Sequence, residues 1–426
     1  MLKGIAAKSI IFLSIIFMLI VPVYALNNVG KTDMAKESYN EISADGNIQN
    51  NNSQKKELRA IWVATIYGLD YPSKEAIKDV SLLKKEMIEI IDNVEEMGFN
   101  TIYFQVRPAA DAFYSSKIFP WSKYLTGDQT ISPQDNFDPL EFIVKQGHER
   151  NIEVHAWINP YRITMQKSDL DELAPNHPAL LHPEWVVAHG SGDNTKHYFN
   201  PGIPEVEQMI LEGVSEIIEN YNVDGIHLDD YFYPGTNFND HDTYAKYGSK
   251  YDNIGDWRRS NINSLIEKMY HLIKAKDENL SFGVSPFAIW ANKSSNPLGS
   301  DTKGKEAYYT MYADTRGWVK AGYLDYIIPQ IYWNIGYEIA DYEKLLNWWA
   351  DVVADTDVDL YVGQAAYRAG NPDPNSPWYG INQIKDQVDL NRRTNNVKGY
   401  VMFRYKSLLG KPELVNLMKY LNRLVL

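Results

Sequence analysis

Residues 224–234 read D-G-I-H-L-D-D-Y-F-Y-P. The first half carries the period of a strand. Ile226 and Leu228 fall on one side and His227 and Asp229 on the other, because successive strand side chains point to opposite faces. In a closed parallel barrel the apolar pair would meet the outer helices, and His227 and Asp229 would line the interior. The run then breaks into Asp230, three aromatic residues and a proline. Paired carboxylates at a strand's C-terminal end supply what glycoside hydrolysis needs. The aromatic loop beside them offers faces on which sugar rings stack.

Outward from this stretch, strand and helix patterns alternate along the chain. Strands are expected at 58–64, 101–106, 152–158, 223–229, 280–285, 324–332, 360–364 and 399–403. Helical spacing of apolar residues marks 78–97, 140–150, 205–221, 257–274, 306–320, 342–353, 381–393 and 412–424. Alternation of this kind implies right-handed crossovers and a parallel sheet. Eight units predict an α/β fold closed as a (β/α)8 TIM barrel. Helix-to-strand links are tight, as at 98–100 or Asn151, whereas strand-to-helix links are long, at 107–139, 159–204, 230–256 and 286–305. In this fold the elaborated loops belong to the C-terminal face, where sites are built. A doubly wound open sheet is the competing architecture, but no Gly-rich nucleotide fingerprint follows the first strand.

The first 25 residues read as a signal peptide. Lys3 and Lys8 precede an apolar run from residue 10 to 23, and Val23-Tyr24-Ala25 has the small-residue form of a cleavage site. The run is shorter than the roughly 20 residues that span a bilayer, so membrane contact is expected only through an uncleaved leader. Residues 26–56 are rich in Asn, Ser, Lys, Asp and Glu and read as a disordered polar tether. The barrel then takes 57–426. These features place the protein outside the cytoplasm, secreted or associated with the cell envelope. The formal charge of −13 argues against nucleic acid as a partner. With no cysteine in the chain there is no disulfide framework and no lipid-attachment thiol. The 11 Trp and 30 Tyr are the compositional excess that a sugar site would use.

The alternation rule then assigns the mouth. It turns Gln105 and Arg107 inward on the second strand, with His155, Trp157 and Asn159 on the third and His227 and Asp229 on the fourth. Ser285, Gln330, Tyr332 and Gln364 follow on the fifth to seventh. Ordinary barrel interiors hold branched apolar side chains. Polar residues there carry a desolvation cost unless they bond one another or a polar ligand. Each also has a plainer role. Asp229 could cap a turn, Asp230 could serve a salt bridge, and Arg107 could simply pair with Asp229. His155 and His227 could ligate a metal, yet without a Cys cluster or a close His pair they read as hydrogen-bonded core histidines. Trp157, Trp290, Trp333, Tyr231 and Tyr233 cluster at strand ends and loops as candidate stacking platforms.

Several short motifs carry a family likeness: R-A-I-W-V-A (59–64), Q-V-R-P (105–108), H-A-W-I-N-P-Y (155–161), D-G-I-H-L-D-D-Y (224–231), S-P-F (285–287), A-D-T-R-G-W (313–318) and P-Q-I-Y-W (329–333). Together they resemble the bacterial glycosyl-hydrolase-like family ten, over essentially all of 57–426. The resemblance implies a (β/α)8 barrel, often exported, acting on cell-envelope glycans such as peptidoglycan strands stripped of peptides. The 224–231 stretch also resembles the D-G-x-D-x-D-x-E motif of chitinase-type glycosidases. It departs from that motif at His227, and at Tyr231, which occupies the position of the acid Glu. The proton donor must therefore come from elsewhere, Asp230 or a loop carboxylate such as Asp111.

The expected activity is hydrolysis of an N-acetylated cell-envelope glycan. Asp229 and Asp230 form the catalytic pair. Gln105, Arg107, His155, Trp157, Asn159, Tyr161, His227, Tyr231, Ser285, Gln330, Tyr332 and Trp333 line the substrate site. No cofactor and no metal are expected, and the partner is a polysaccharide or oligosaccharide. Two other classes compete: a non-catalytic glycan-binding barrel, and a metal-dependent polysaccharide deacetylase using His155, His227 and Asp229.

Overall fold

The computed structural model describes residues 57–424. The expected leader and tether lie outside the described residues. Eight parallel strands close into a barrel: β1 Leu58–Val63, β2 Thr101–Arg107, β3 Glu153–Ile158, β4 Gly225–Leu228, β5 Ser281–Val284, β6 Tyr326–Ile327, β7 Asp359–Gln364 and β8 Val397–Met402. Each pairs with its sequence neighbours, and β1 pairs with β8 to shut the ring. Between and after them run α1 Val80–Glu96, α2 Pro139–His148, α3 Pro204–Asn220, α4 Ile254–Lys276, α5 Thr315–Ala321, α6 Tyr342–Val353, α7 Asn382–Arg393 and α8 Pro412–Arg423. This is the (β/α)8 barrel that the alternation predicts.

Local sequence explains where the elements begin. Asp79 starts α1 by accepting the Ser81 and Leu82 N–H groups. Asp138 does the same for Leu140 and Glu141 ahead of Pro139 in α2. Both satisfy N–H groups that a helix start leaves unpaired. The apolar stripe of α1, Leu83, Met87, Ile90, Ile91 and Val94, is buried against the outer face of the sheet.

Three expectations need correction. The predicted strand 324–332 is regular only over Tyr326–Ile327. Pro329 has no N–H to give the ladder, and beyond it only single bridges remain, from Gln330 to Phe287 and Gly363. The predicted helix 306–320 is broken. A π turn at Ala307–Met311 ends at Tyr312, whose φ of 55° stops it, and α5 restarts behind the Asp314 cap. The long connection after β3 also holds an antiparallel hairpin, Val186–His189 with Lys196–Phe199, that the sequence pattern did not announce.

The barrel interior is aromatic. Trp62, Tyr103, Trp157 and Tyr326 pack there with Ala60, Ala64, Ile328 and Val401. Large rings need small partners across the barrel. A Cβ at Gly283 would overlap the Tyr326 ring, and one at Gly225 would overlap His155. Tyr103 and His227 have ring centroids 4.5 Å apart, and Tyr103 and His155 5.0 Å. Register places His155 beside Gly225, at the start of β4, and Trp157 beside His227, one layer higher.

Candidate active site

Asp229 and Asp230 follow directly on β4, at the C-terminal mouth, and both are buried. Their surroundings differ. One Asp229 oxygen accepts the Trp157 indole N–H at 3.3 Å and a short hydrogen bond from the Asn159 amide. The other accepts the Tyr231 backbone N–H at 3.1 Å. Asp230 accepts from one side chain, Gln330 Nε2 at 3.2 Å, and from its own backbone N–H. Gln330 is itself steered by a 2.7 Å bond to the Ser285 carbonyl.

Burial pushes both carboxyls upward, and for Asp229 this is opposed by the Arg162 charge and the three hydrogen bonds. Asp230 is driven to about 7, by burial first and the neighbouring Asp229 charge second. Two adjacent buried carboxylates cannot both ionise cheaply. The one with three donors and a facing arginine takes the charge, and the other keeps its proton.

A relay of amides fixes Asp229. Asn159 accepts from Gln105 Nε2 at 2.7 Å, and Gln105 Oε1 in turn accepts the backbone N–H groups of Thr65 at 2.9 Å and Ile66 at 3.0 Å. Gln105 therefore positions Asn159, with both ends of its amide engaged inside the protein. Below it, His227 receives the Trp62 indole N–H at 3.3 Å on Nε2, which also lies 3.0 Å from Ser285 Oγ. That assigns the proton to Nδ1, which meets the Tyr326 hydroxyl at 3.3 Å. Burial holds His227 well below its ordinary value, so it is a neutral floor to the site.

The structure places the other sequence-derived candidates unevenly. Gln330 and Tyr332 do reach the mouth; Tyr332 packs against Tyr367 and Phe403 and lies within the field of both aspartates. Tyr231, 48% exposed, is the open aromatic face beside Asp230. Trp333 is half-buried, its carbonyl accepting from Gln387.

Arg107 does not face the mouth. The register slips between Gln105 and Arg107, so Arg107 pairs with outward-facing Ile158 instead of continuing the alternation. Its guanidinium lies over Phe119 at 4.4 Å and bonds the Pro160 carbonyl at 3.1 Å, under α3. Tyr161 is likewise fully buried in the outer core. His155 is interior but low, bound to the Tyr326 hydroxyl at 3.1 Å. Trp157 is buried and spends its N–H on Asp229, so it is no open stacking face. Tyr233 and Trp290 are core residues, the latter stacked on Trp348. Gln364 turns out to Gln387 on α7. Asp111 is buried in its own loop with Gln129. The two histidines and Asp229 do not converge as ligands, and among the described residues no group of three or more such side chains could hold a metal ion.

Sequence reasoning missed Arg162, whose guanidinium stacks on Tyr231 at 4.3 Å and donates to the Pro108 carbonyl at 3.1 Å. Its signal was a lone cation following the H-A-W-I-N-P-Y motif. Tyr67 and Tyr367, exposed in the loops after β1 and β7, were missed too. Tyr67 packs edge-on against Tyr124 at 5.7 Å and lies within the field of Arg162.

Residues 57–381 match the family described as glycosyl hydrolase-like 10. The chain belongs to that family. This glycosyl hydrolase-like 10 protein is 44% identical over 369 residues to glycosyl hydrolase YngK of Bacillus subtilis strain 168, covering 85% of this chain and 71% of that one. It is 40% identical over 385 residues to glycosyl hydrolase DigH of Escherichia coli K12, covering 85% and 86%. It is therefore a glycoside hydrolase. Among solved structures, the glycoside hydrolase domain of PgaB (BpsB) from Bordetella bronchiseptica superposes with a TM-score of 0.54 at 13% identity, covering 85% of this chain and 98% of that one. An endo-β-1,4-mannanase from Thermotoga petrophila gives 0.53 at 10%, covering 88% and 78%. These two likenesses speak to the barrel fold alone.

Proposed function

We propose that the protein is an exported hydrolase of N-acetylated cell-envelope glycan, of the peptide-free peptidoglycan type, with Asp230 as general acid and Asp229 as the ionised partner. The observation that carries the assignment is the unequal pair: three hydrogen bonds and Arg162 favour charge on Asp229, while burial and the Asp229 charge outweigh the weaker set of donors at Asp230 and favour its proton. Two titratable groups pushed apart by their environments divide into acid and base roles. Asp230 gives its proton to the glycosidic oxygen as the C–O bond breaks, the Asp229 carboxylate stabilises the positive charge that develops at the anomeric carbon, and a water then adds its oxygen to that carbon and returns a proton to Asp230. Tyr231, Tyr332 and Tyr367 offer ring faces to the sugars on either side. Export is proposed from the leader sequence, and the glycan class from the family resemblance.

The test is release of reducing ends from purified peptide-free glycan strands. Wild-type protein should release them. Asp229→Asn and Asp230→Asn should each lose about 10²–10⁴-fold in rate while still binding the glycan. For Asp230→Asn, partial recovery on aryl glycosides with good leaving groups is expected, because those need no proton. Affinity without product in the wild type would instead favour the glycan-binding reading.

A further inference from the structure

Arg107 of the Q-V-R-P stretch lies behind the barrel wall, where a charge is costly. It is 1% exposed, and among the described residues no carboxylate lies at ion-pair distance from it. Phe119 covers its guanidinium at 4.4 Å, and α3 comes close as well, since a Cβ on Gly213 would stand 3.3 Å from Nη1. Burial lowers Arg107 to about 10, opposed by the fields of Tyr114, Asp111 and Tyr161, so the side chain is still charged at neutral pH. Taking a guanidinium out of water costs several kcal/mol. An apolar side chain of similar length would fill the same space without that cost, so packing alone does not call for an arginine here.

What the guanidinium holds is the backbone beside Asn159. The Arg107 carbonyl accepts the Asn159 N–H at 2.9 Å, and Arg107 Nη2 donates to the carbonyl of the next residue, Pro160, at 3.1 Å. Residue 107 therefore grips Asn159 from both sides. The opposite loop answers in kind, with Arg162 Nη1 donating to the Pro108 carbonyl at 3.1 Å. Each arginine holds the carbonyl of a proline in the other loop, and both prolines have a fixed φ. The register slip in β2 makes this possible. Gln105 turns in to the Asn159 side chain at 2.7 Å, while Arg107 turns out to the backbone behind it. Without the slip, alternation would set the Arg107 charge among the aspartates, where it would favour ionisation of both.

We propose that Arg107 is a positioning residue for the catalytic pair: from behind the wall it fixes the Asn159–Pro160 backbone so that the Asn159 amide reaches Asp229 and keeps the negative charge there. The inference rests on the reading of Asp230 as acid and Asp229 as ionised partner, and adds what keeps the two unequal. The groups that face the pair directly are Arg162, Tyr231 and Tyr332. Arg107 acts through the short Asn159 bond to Asp229. When that bond loosens, Asp229 loses a donor to its charged form and ionises at higher pH. The lower of the pair's two apparent midpoints then rises toward the upper one, and the proton is shared more evenly.

The test uses the full-length protein labelled with 13C at the aspartate carboxyls and titrated by NMR without substrate. Signals of the pair are assigned by their loss in Asp229→Asn and Asp230→Asn. Arg107→Met keeps the stem and removes the donor, and should raise the lower midpoint by about one pH unit, a tenfold change in that equilibrium. The upper midpoint should stay near its wild-type position. Arg107→Lys, which keeps a cation able to reach the Pro160 carbonyl, should restore part of the shift. Phe119→Leu, which removes the ring beneath the guanidinium, should give a smaller shift of the same sign and carries the test if Arg107→Met fails to fold. Asp224→Ala, at the foot of β4, should leave both midpoints in place. On peptide-free glycan, the acid limb of the kcat profile should move up with the midpoint, with KM unchanged within about twofold.

A double-variant cycle separates positioning from a direct field. In an Asn159→Ala background, Arg107→Met should shift the lower midpoint no further. A shift of full size in that background would overturn the proposal, as would an unmoved midpoint in the folded Arg107 and Phe119 variants. The titration needs no turnover, so the two readings fail separately. The expected shift with no reducing ends released would leave the positioning role standing and remove the glycan-cleaving assignment; reducing ends released with an unmoved midpoint would do the reverse.

Discussion

At the scale of single residues, the decisive feature is that two neighbouring aspartates meet different surroundings. Asp229 is clasped by Trp157, Asn159 and the Tyr231 amide, while Asp230 meets Gln330 and its own backbone N–H. With Asp230 raised to about 7, activity should fall as pH rises through that value, and the limb should vanish in Asp230→Asn. The same shift has a sign for stability. An unfolded aspartate ionises near ~4, so the folded state binds the extra proton across the interval from there to about 7. Stability from this group is present at low pH and lost as pH rises through that window. Asp230→Asn should therefore melt higher than wild type at pH 8, with no such gain at pH 4. Melting curves at the two pH values check this; a gain of equal size at both would mean the carboxyl is not held protonated.

At the scale of elements, strand alternation made much of the interior legible. Trp157, Asn159, His227 and Asp229 face inward as the period of two requires. Alternation failed where the backbone departs from it. The slip after Gln105 sends Arg107 outward, and Pro329 cuts the sixth strand short. The hairpin bearing His189 and Lys196 was hidden because its residues pair only with each other and with one edge residue, Arg162. Some stacking faces were misassigned for a simpler reason. Trp157 and Trp290 are buried and spend their N–H groups on Asp229 and Asp314, whereas the exposed rings are Tyr231, which was a candidate, and the loop residues Tyr67 and Tyr367, which no period marks. The small-to-large matching inside the barrel is a testable consequence of element packing. Gly283→Ala would drive a methyl into the Tyr326 ring, and Tyr326 supports both His155 and His227. Overpacking of this kind costs about 1–3 kcal/mol, which chemical denaturation should register as a lower midpoint at unchanged slope.

At the scale of the whole molecule, the barrel separates stability from chemistry along its axis. The lower end is held by residues such as Asp224, which accepts the Val154 N–H at 2.7 Å and meets His148 Nε2 at 2.8 Å, tying β3, α2 and the start of β4 together. The upper end holds Asp229 in a buried position that burial makes unfavourable for its charge. Asp224 and Asp229 flank the same strand, β4, at its two ends, with four residues between them. In this fold the N-terminal face maintains the structure and the C-terminal face performs the reaction. Asp224→Ala should leave a backbone N–H without its partner and cost ~1–2 kcal/mol, lowering the melting temperature by several degrees while kcat on peptide-free glycan stays near wild type. Asp229→Asn should instead lose turnover with little change in melting temperature, since removal of a buried charge offsets the loss of acceptance where the new NH2 group faces the Tyr231 N–H or the Trp157 and Asn159 donors. Measuring kcat and melting temperature for both variants side by side checks the division. If Asp224→Ala lost turnover as severely as Asp229→Asn while remaining folded, the two ends would be coupled through β4, and the separation along the axis would be wrong.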